Sequence, residues 1–174
     1  DPDAGGAVGI LTTSRGFVAS YAQNGDFRWA RTLAEEYSEA RDIGLSEDGA
    51  ILMTGSAWHS GIVNEWGGIA TDAFVKRLNA DGRGGGTAWV EGGTGGNSEG
   101  ITITAGPCGG VFAAGFFRGE VDFDDGPGVS SAQAMGPPPN NHSAWFGLWD
   151  STGRFAWSRM WGSAAGGSVA DDIA

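Results

Sequence analysis

The chain has 174 residues, of which 40% are hydrophobic and 11% aromatic, a composition that predicts a folded globular protein and excludes a disordered one. Glycine occurs 33 times without a three-residue period, which excludes collagen, and it disfavours long helices because glycine costs about 1 kcal/mol relative to alanine inside a helix. The net charge of -11 disfavours nucleic-acid backbones and anionic membrane surfaces as partners, since both attract clustered lysine and arginine.

The first predicted element is a hairpin that occurs three times along the chain. The copies are "GFVASYAQNGDFRWAR" from Gly16, "AFVKRLNADGRGGGTAWV" from Ala73 and "AWFGLWDSTGRFAWSR" from Ala144. Their turn glycines Gly25, Gly82 and Gly153 lie 57 and 71 residues apart, and Trp29, Trp89 and Trp157 follow, with "GGT" interpreted as an insertion before Trp89. Each copy predicts two strands around a tight turn, because glycine supplies the positive φ that such a turn requires.

A second hairpin repeats between these copies. It is written "EARDIGLSEDGAILMTGS" from Glu39 and "SEGITITAGPCGGVFAAGFF" from Ser98, and "VADDIA" at the end of the sequence starts a third copy. The pattern places Ile43, Ile101 and Ile173 at equivalent positions, predicts turns at Asp48-Gly49 and Gly109-Gly110, and ends the second strands at Gly55 and Gly115. Length varies only in the loop after that last glycine, as a repeated scaffold permits.

Two alternating hairpins make a unit of four short antiparallel strands over about 60 to 70 residues, a length that favours propeller blades over solenoids. We therefore predict an all-β fold, a β-propeller segment of four-stranded antiparallel blades covering 1–174. It divides into a half blade at 1–32, a blade at 33–92, a blade with a long inserted loop at 93–160, and the first strand of another at 161–174. Because propellers close with about four to eight blades, we expect a piece of a larger protein, or a chain that completes its ring with other copies.

These motifs resemble a known family. "DAFVKRLNADG" followed by tryptophan, "GITITAGPCGGVFAAGFF" and "GEVDFDDGPG" are similar to the bacterial β-propeller repeats abbreviated SBBP, over nearly the whole chain. The matching positions are Asp72-Ala73-Phe74-Val75, Gly82, Trp89 and Thr54-Gly55, whereas Gly109-Gly110 and Val111-Phe112 match more loosely. The resemblance implies a module of a secreted or cell-surface protein, outside the cell and without an assigned reaction.

The segment "DFDDGPG" is the candidate metal site. It resembles a "DFDPGPG" element of related repeats, with Asp125 in place of the usual proline. Asp122, Asp124 and Asp125 precede Gly126, and calcium prefers six to eight oxygen ligands of this kind. A strand through Phe123 would place Asp122 and Asp124 on one face and Phe123 in the core. The loop lacks the EF-hand spacing, so the alternative is that its aspartates accept backbone hydrogen bonds in turns.

Further candidates lie in the variable loops. The two histidines, His59 and His142, have no metal-ligand or triad spacing, and we expect solvated loop histidines. The candidate binding-loop residues are Trp58, His59, Trp66, Asn140, Asn141 and His142. Aromatic and polar side chains in loops can form a ligand or partner surface, or they can cap the edge of a blade.

Three functions remain open. The leading one is a non-enzymatic scaffold that presents variable loops to a protein or glycan partner, with calcium as the one candidate cofactor. A propeller lyase or hydrolase would need polar groups at equivalent inward positions, and only Asp42, Glu99 and Asp171 or Asp172 come near this pattern. A structural subunit would join other copies through open strand edges into a ring or filament.

The sequence predicts neither nucleic-acid binding nor insertion into a membrane. It has no run of eighteen apolar residues, the length at which a membrane-spanning helix becomes a candidate. Its single cysteine, Cys108, cannot form a disulfide within the chain.

Overall fold

A computed structural model describes residues 16–33, 37–63, 69–93, 96–136, 141–165 and 167–173. Within these ranges the chain is all-β and contains no α-helix, only a short 3-10 turn at Pro107–Gly109. The strands are β1 (Phe17–Tyr21), β2 (Phe27–Thr32), β3 (Ser38–Leu45), β4 (Ile51–Val63), β5 (Ile69–Leu78), β6 (Thr87–Gly92), β7 (Asn97–Ala105), β8 (Val111–Arg118), β9 (Glu120–Asp122), β10 (Ser131–Gln133), β11 (Ser143–Trp149) and β12 (Phe155–Gly162). The described part of the chain holds no helix long and apolar enough to span a membrane.

The strands form antiparallel sheets, which confirms the predicted all-β class. The first sheet pairs β1 with β2, the second has the order β10-β9-β6-β5-β4-β3, and the third has the order β12-β11-β8-β7. We call β3–β6 the first unit and the group β7, β8, β11 and β12 the second unit. No sheet closes on itself, and the arrangement of the units as propeller blades stays a prediction.

The predicted hairpins form around their glycine turns. In the three tryptophan-bearing hairpins the turn glycines have φ of 89°, 73° and 85° at Gly25, Gly82 and Gly153. Gly49 and Gly109 turn the other hairpins with φ of 81° and 75°. Glycine reaches this left-handed region at no steric cost, so the turns fix the strand pairs locally.

The register of β3 and β7, which we call the inner strands, corrects one predicted equivalence. Ile43 pairs with Met53 in the first unit, whereas Ile103 pairs with Ala113 in the second. Ile103 and Ala113 lie 60 positions after Ile43 and Met53, so the residue equivalent to Ile43 in the second unit is Ile103 and not Ile101. Both strands contain an irregularity just before this position, between Ala40 and Asp42 and between Gly100 and Thr102, so the offset of 60 holds on both sides of it and Ile101 occupies the place of Arg41.

The tryptophan alignment also needs correction. Trp29 pairs with Ser20 and Trp157 with Leu148, two residues before equivalent turns. In the first unit the equivalent pair is Arg77 and Gly86, where the Arg77 amide donates to the Gly86 carbonyl. Trp89 lies three residues after Gly86 and pairs with Phe74. "GGT" is therefore paired strand and turn sequence, not an insertion, and Trp89 is not the equivalent of the other two tryptophans.

Two hydrophobic clusters hold the sheets together. The larger one joins the facing sides of the two units, and the smaller one joins the first unit to the β1–β2 hairpin. The larger cluster contains Leu52, Val75, Val90, Ile103, Val111, Phe117, Val121, Phe123, Trp145 and Trp149, and the smaller one contains Val18, Leu33, Ile51, Met53, Phe74 and Leu78. Alternate residues of β4 and β5 point into different clusters, as the period of two in a strand requires.

Polar contacts also join the units at the start of β7. The Ser98 hydroxyl accepts from the Ala73 amide at 2.7 Å and donates to the Val90 carbonyl. Gly100 lies so close to β4 that an added Cβ would overlap the Thr54 hydroxyl. Ser38, the equivalent of Ser98 60 positions earlier, accepts from the Gly16 amide at 3.3 Å. The same serine position therefore joins neighbouring sheets twice.

The segment between β8 and β11 forms a hairpin that the sequence did not predict. β9 pairs with β10 and also with β6, so this hairpin, which lies between two strands of the second unit in sequence, extends the sheet of the first. Val121 and Phe123 are buried in the larger cluster, and Phe123 packs edge-on against Trp145 at 5.9 Å. The expectation that Phe123 points into the core is confirmed.

Candidate functional site

One end of the two units carries side chains that differ between the repeats. We call this end the loop-side rim and define it by Tyr37 and Trp58 in the first unit and by Asn97, Arg118 and His142 in the second. It lies at the ends of the strands opposite the glycine turns, because β3 and β7 start there and β4 and β8 end there.

Tyr37 and Trp58 form an exposed aromatic platform. Their rings stack with centroids 5.5 Å apart and an interplanar angle of 21°. They remain 51% and 46% exposed. Tyr37 has φ of 54°, a left-handed conformation that is unfavourable for a bulky residue. Trp58 was predicted to lie in a loop, but it belongs to β4, where it pairs with Thr71 of β5.

The equivalent positions of the second unit carry polar groups. Asn97 and Arg118 lie 60 positions after Tyr37 and Trp58 and pair with each other across β7 and β8. The Thr71 amide donates to Asn97 Oδ1 at 3.2 Å, so the polar pair is joined directly to the strand beside Trp58. An aromatic pair and an amide–guanidinium pair are therefore neighbours on one rim.

His142 lies in a loop, as expected, but it is partly buried and not fully solvated, which corrects that part of the sequence-based expectation. It immediately precedes β11 and packs against the Phe116 ring with centroids 5.2 Å apart. Burial, reinforced by the nearby Arg118 charge, lowers the pKa of His142 below the ordinary 6.5. Asn141 beside it is buried, and neither Asn141 Oδ1 nor His142 Nε2 has a hydrogen-bond partner among the described residues.

We expect His142 to make stability depend on pH as the pH falls through about 6.5, the ordinary histidine pKa. Well above this pH the His142 imidazole is neutral in both the folded and the unfolded chain. As the pH falls through the unfolded value of about 6.5, the unfolded chain binds a proton that the folded chain resists, so the free energy of unfolding decreases. Urea unfolding at several pH values should show this decrease in the native chain and a weaker one in His142→Gln. Equal slopes in the two proteins would contradict the assignment.

The "DFDDGPG" carboxylates are hydrogen-bond acceptors in a turn. Asp122 ends β9, and its Oδ1 accepts from the amides of Asp124 at 3.0 Å and Ser130 at 2.8 Å. Asp124 Oδ1 accepts from the Gly126 amide at 3.0 Å. Asp122 and Asp124 are thus placed by a turn and not by the continuous strand that the sequence suggested, in agreement with the alternative interpretation of this loop.

Asp125 reaches across to the first unit. Its Oδ2 accepts from the Trp89 amide at 3.0 Å, and burial raises the pKa of Asp125 above its usual value, with the charges of Asp124 and Asp122 adding to the shift. Within the described ranges no group of three or more histidine, cysteine, aspartate or glutamate side chains is arranged to hold a metal. Calcium binding by Asp122, Asp124 and Asp125 stays a prediction.

The carboxylates considered for catalysis lie on or beside β3 and β7. Asp42 Oδ2 accepts from the Ile103 amide at 2.8 Å and from the Thr102 hydroxyl at 3.1 Å, and Asp172 Oδ1 lies 3.5 Å from the same hydroxyl. Glu99 pairs with Arg41 at 3.4 Å. The Asp42 carboxylate accepts hydrogen bonds that join β3 to β7, so we interpret these carboxylates as a structural link between the units.

The remaining predicted residues contribute less. Trp66 and Asn140 lie outside the described residues, and His59 belongs to β4 but its side chain is not described. Sequence analysis missed Tyr37, Asn97 and Arg118 as site residues. The available signal was the repeated "SE" at Ser38-Glu39 and Ser98-Glu99, which places the preceding residues Tyr37 and Asn97 at one structural position.

No model of a known protein family matches the chain, and no curated protein matches it. The resemblance to the SBBP repeats therefore stays an expectation from the motifs.

Proposed function

We propose that the chain is a non-enzymatic β-propeller-type scaffold, on the cell surface or outside the cell, that binds a protein or glycan partner through its loop-side rim. Repeated contacts within and between the sheets form the scaffold. Gly55 and Gly115 each lie against the neighbouring inner strand, and Ser38 and Ser98 each connect to the preceding sheet.

The observation that carries the proposal is the contrast between this framework and the rim. Ser38 directly follows Tyr37 and Ser98 directly follows Asn97. In both units, therefore, a position with the same residue is adjacent to a position whose residue differs between the units. Packing explains the serines because they satisfy backbone groups. Packing does not require a half-exposed stacked pair at Tyr37 and Trp58, and exposed aromatic residues are typical of binding surfaces.

The test compares two matched double variants on panels of extracellular proteins and glycans. Trp58→Ala with Arg118→Gln alters the rim, whereas Tyr21→Ala with Arg154→Gln removes an aromatic residue and an arginine near the turns at the opposite end. We expect both variants to melt within a few degrees of the native chain, since single surface changes usually alter stability little. Only the rim variant should lose binding.

Retained binding by the rim variant would show that the rim is not the binding surface. Absence of binding by the native chain on both panels would remove the proposed binding function. Sedimentation of the same samples at several concentrations separates a monomer from an assembly.

One observation favours the structural-subunit alternative. Ile43 is 56% exposed and Leu45 is 71% exposed, whereas Ile103, the repeat equivalent of Ile43, is 5% exposed beneath the first unit. Ile43 and Leu45 line a cleft of about 570 Å³ between β1 and β3. A mass that grows with concentration, and a native mass in Leu45→Ser, would support assembly through this cleft.

A further inference from the structure

We propose that the loop-side rim binds an oligosaccharide, with one sugar ring stacked on the Tyr37–Trp58 platform and hydroxyl groups held by Asn97 and Arg118. The inference rests on the proposed function and narrows its partner from protein or glycan to glycan.

The platform has the shape that a sugar ring requires. A pyranose presents a flat face of C–H groups that packs on an aromatic ring, and its edge carries hydroxyls. Tyr37 and Trp58 stack on each other at 21°, so each ring covers part of one face of the other, and about half of each side chain stays exposed for a sugar ring to pack on. Both rings are rigid, with two side-chain torsions each, so little conformational entropy is lost when a ligand packs on them.

Tyr37 is held there by the backbone and not by burial. Its φ of 54° would suit glycine or asparagine far better than tyrosine. Trp58 donates its amide to the Tyr37 carbonyl at 3.4 Å, which connects the unusual conformation to β4. Strained residues of this kind concentrate at binding sites, and here the strain places a ring beside Trp58.

Hydroxyl recognition comes from the second unit. Because Asn97 Oδ1 accepts from Thr71, the amide group is oriented with its nitrogen as the remaining donor. Arg118, its partner across the strands, supplies N–H donors in a planar fork. Trp58 and Asn97 both adjoin Thr71, so a ligand longer than one sugar can contact the platform and these donors together.

The size of the platform favours a glycan over a protein partner. A specific protein interface buries on the order of 1,200–2,000 Å² of total surface, with a contiguous apolar centre. Two half-exposed rings beside an amide and a guanidinium group are much smaller and more polar than that. A compact ligand rich in hydroxyls uses each of these groups.

The experiment begins with a glycan array that carries neutral and acidic oligosaccharides. The strongest hit is then titrated calorimetrically into the native chain and three variants. We expect Trp58→Ala to weaken binding at least about tenfold, as expected for a central aromatic contact. Tyr37→Gly should weaken binding similarly without lowering the melting temperature, because glycine accepts the positive φ. Tyr21→Ala, which removes an exposed ring from the opposite end, should bind as the native chain does.

The outcomes are distinguishable. Glycan binding that Trp58→Ala and Tyr37→Gly leave intact would overturn the inference. A chain that binds no glycan, but binds a protein through the rim in the panel experiment, would overturn the inference and leave the proposed function standing. A chain that binds neither class would overturn both.

Discussion

Gly115→Ala is expected to lower the free energy of unfolding by about 3 kcal/mol or more, as overpacking against fixed backbone does. A Cβ at this position would overlap the carbonyl oxygen of Glu99 and lie 3.1 Å from Gly100 Cα. Both atoms are backbone atoms of β7, which is paired to β8 at Gly100 and Gly115, so neither strand can move away without breaking the pairing. Guanidinium unfolding followed by tryptophan fluorescence measures the loss.

Gly44→Ala is the matched control. Gly44 lies within β3, but a Cβ there would be 3.4 Å from the Ile103 carbonyl oxygen, an ordinary contact. We expect a change within about 0.5 kcal/mol. A similar small effect of Gly115→Ala would show that β7 and β8 can separate without loss of the fold, and the close approach would then not be a requirement.

Ser98→Ala is expected to destabilise the chain by about 3 kcal/mol, because each buried polar group left unsatisfied costs about 1–3 kcal/mol. The Ser98 hydroxyl is fully buried and bonds both the Ala73 amide and the Val90 carbonyl, at the junction of the two units. Alanine fills nearly the same space but offers neither donor nor acceptor. Urea unfolding of the variant and the native chain at one pH gives the difference.

Ser38→Ala is the matched variant at the equivalent position of the first unit. Ser38 occupies the equivalent position, but its hydroxyl accepts from the Gly16 amide at the longer distance of 3.3 Å, and the same amide donates to the Ser38 carbonyl at 2.9 Å. The backbone bond survives the substitution, so we expect a clearly smaller loss. Equal losses at Ser38 and Ser98 would contradict the role assigned to the hydroxyl of Ser98.

The turns could be predicted because their chemistry is local. Gly25, Gly82 and Gly153 each follow a short polar residue, and a positive φ at such a place forces the chain to reverse whatever lies around it. The hairpins follow from these reversals, and the all-β class follows from the hairpins.

Strand register could not be obtained in the same way. Ile101 matches Ile43 in residue type, but Ile101 lies at the irregularity of β7, where Arg41 lies in β3, and Ile103 is the residue that pairs equivalently. A shift of two keeps each residue on its face of the sheet, so the hydrophobic pattern alone does not reveal the error. The cross-strand pairs, Ile43 with Met53 and Ile103 with Ala113, identify the equivalent residues.

The rim was predicted in part. Trp58 stood out as an aromatic residue beyond the repeated strand, whereas Tyr37 did not, because its significance comes from a ring contact across two strands and from its φ. Asn97 and Arg118 become neighbours of Trp58 only through Thr71. Contacts between residues so distant in sequence depend on how the units pack, which composition and spacing do not determine.

The hairpin of β9 and β10 has a consequence for how the two units unfold. Repeat arrays whose members touch only through side chains can lose one member at a time. Here, residues that follow β8 complete the edge of the sheet containing β6, and Val121 and Phe123 lie in the core shared by both units. The first unit cannot open without exposing apolar surface of the second, and loss of the segment between β8 and β11 would remove two strands from the sheet of the first unit. The pair is therefore one cooperative block in unfolding, although the sequence describes it as two repeats.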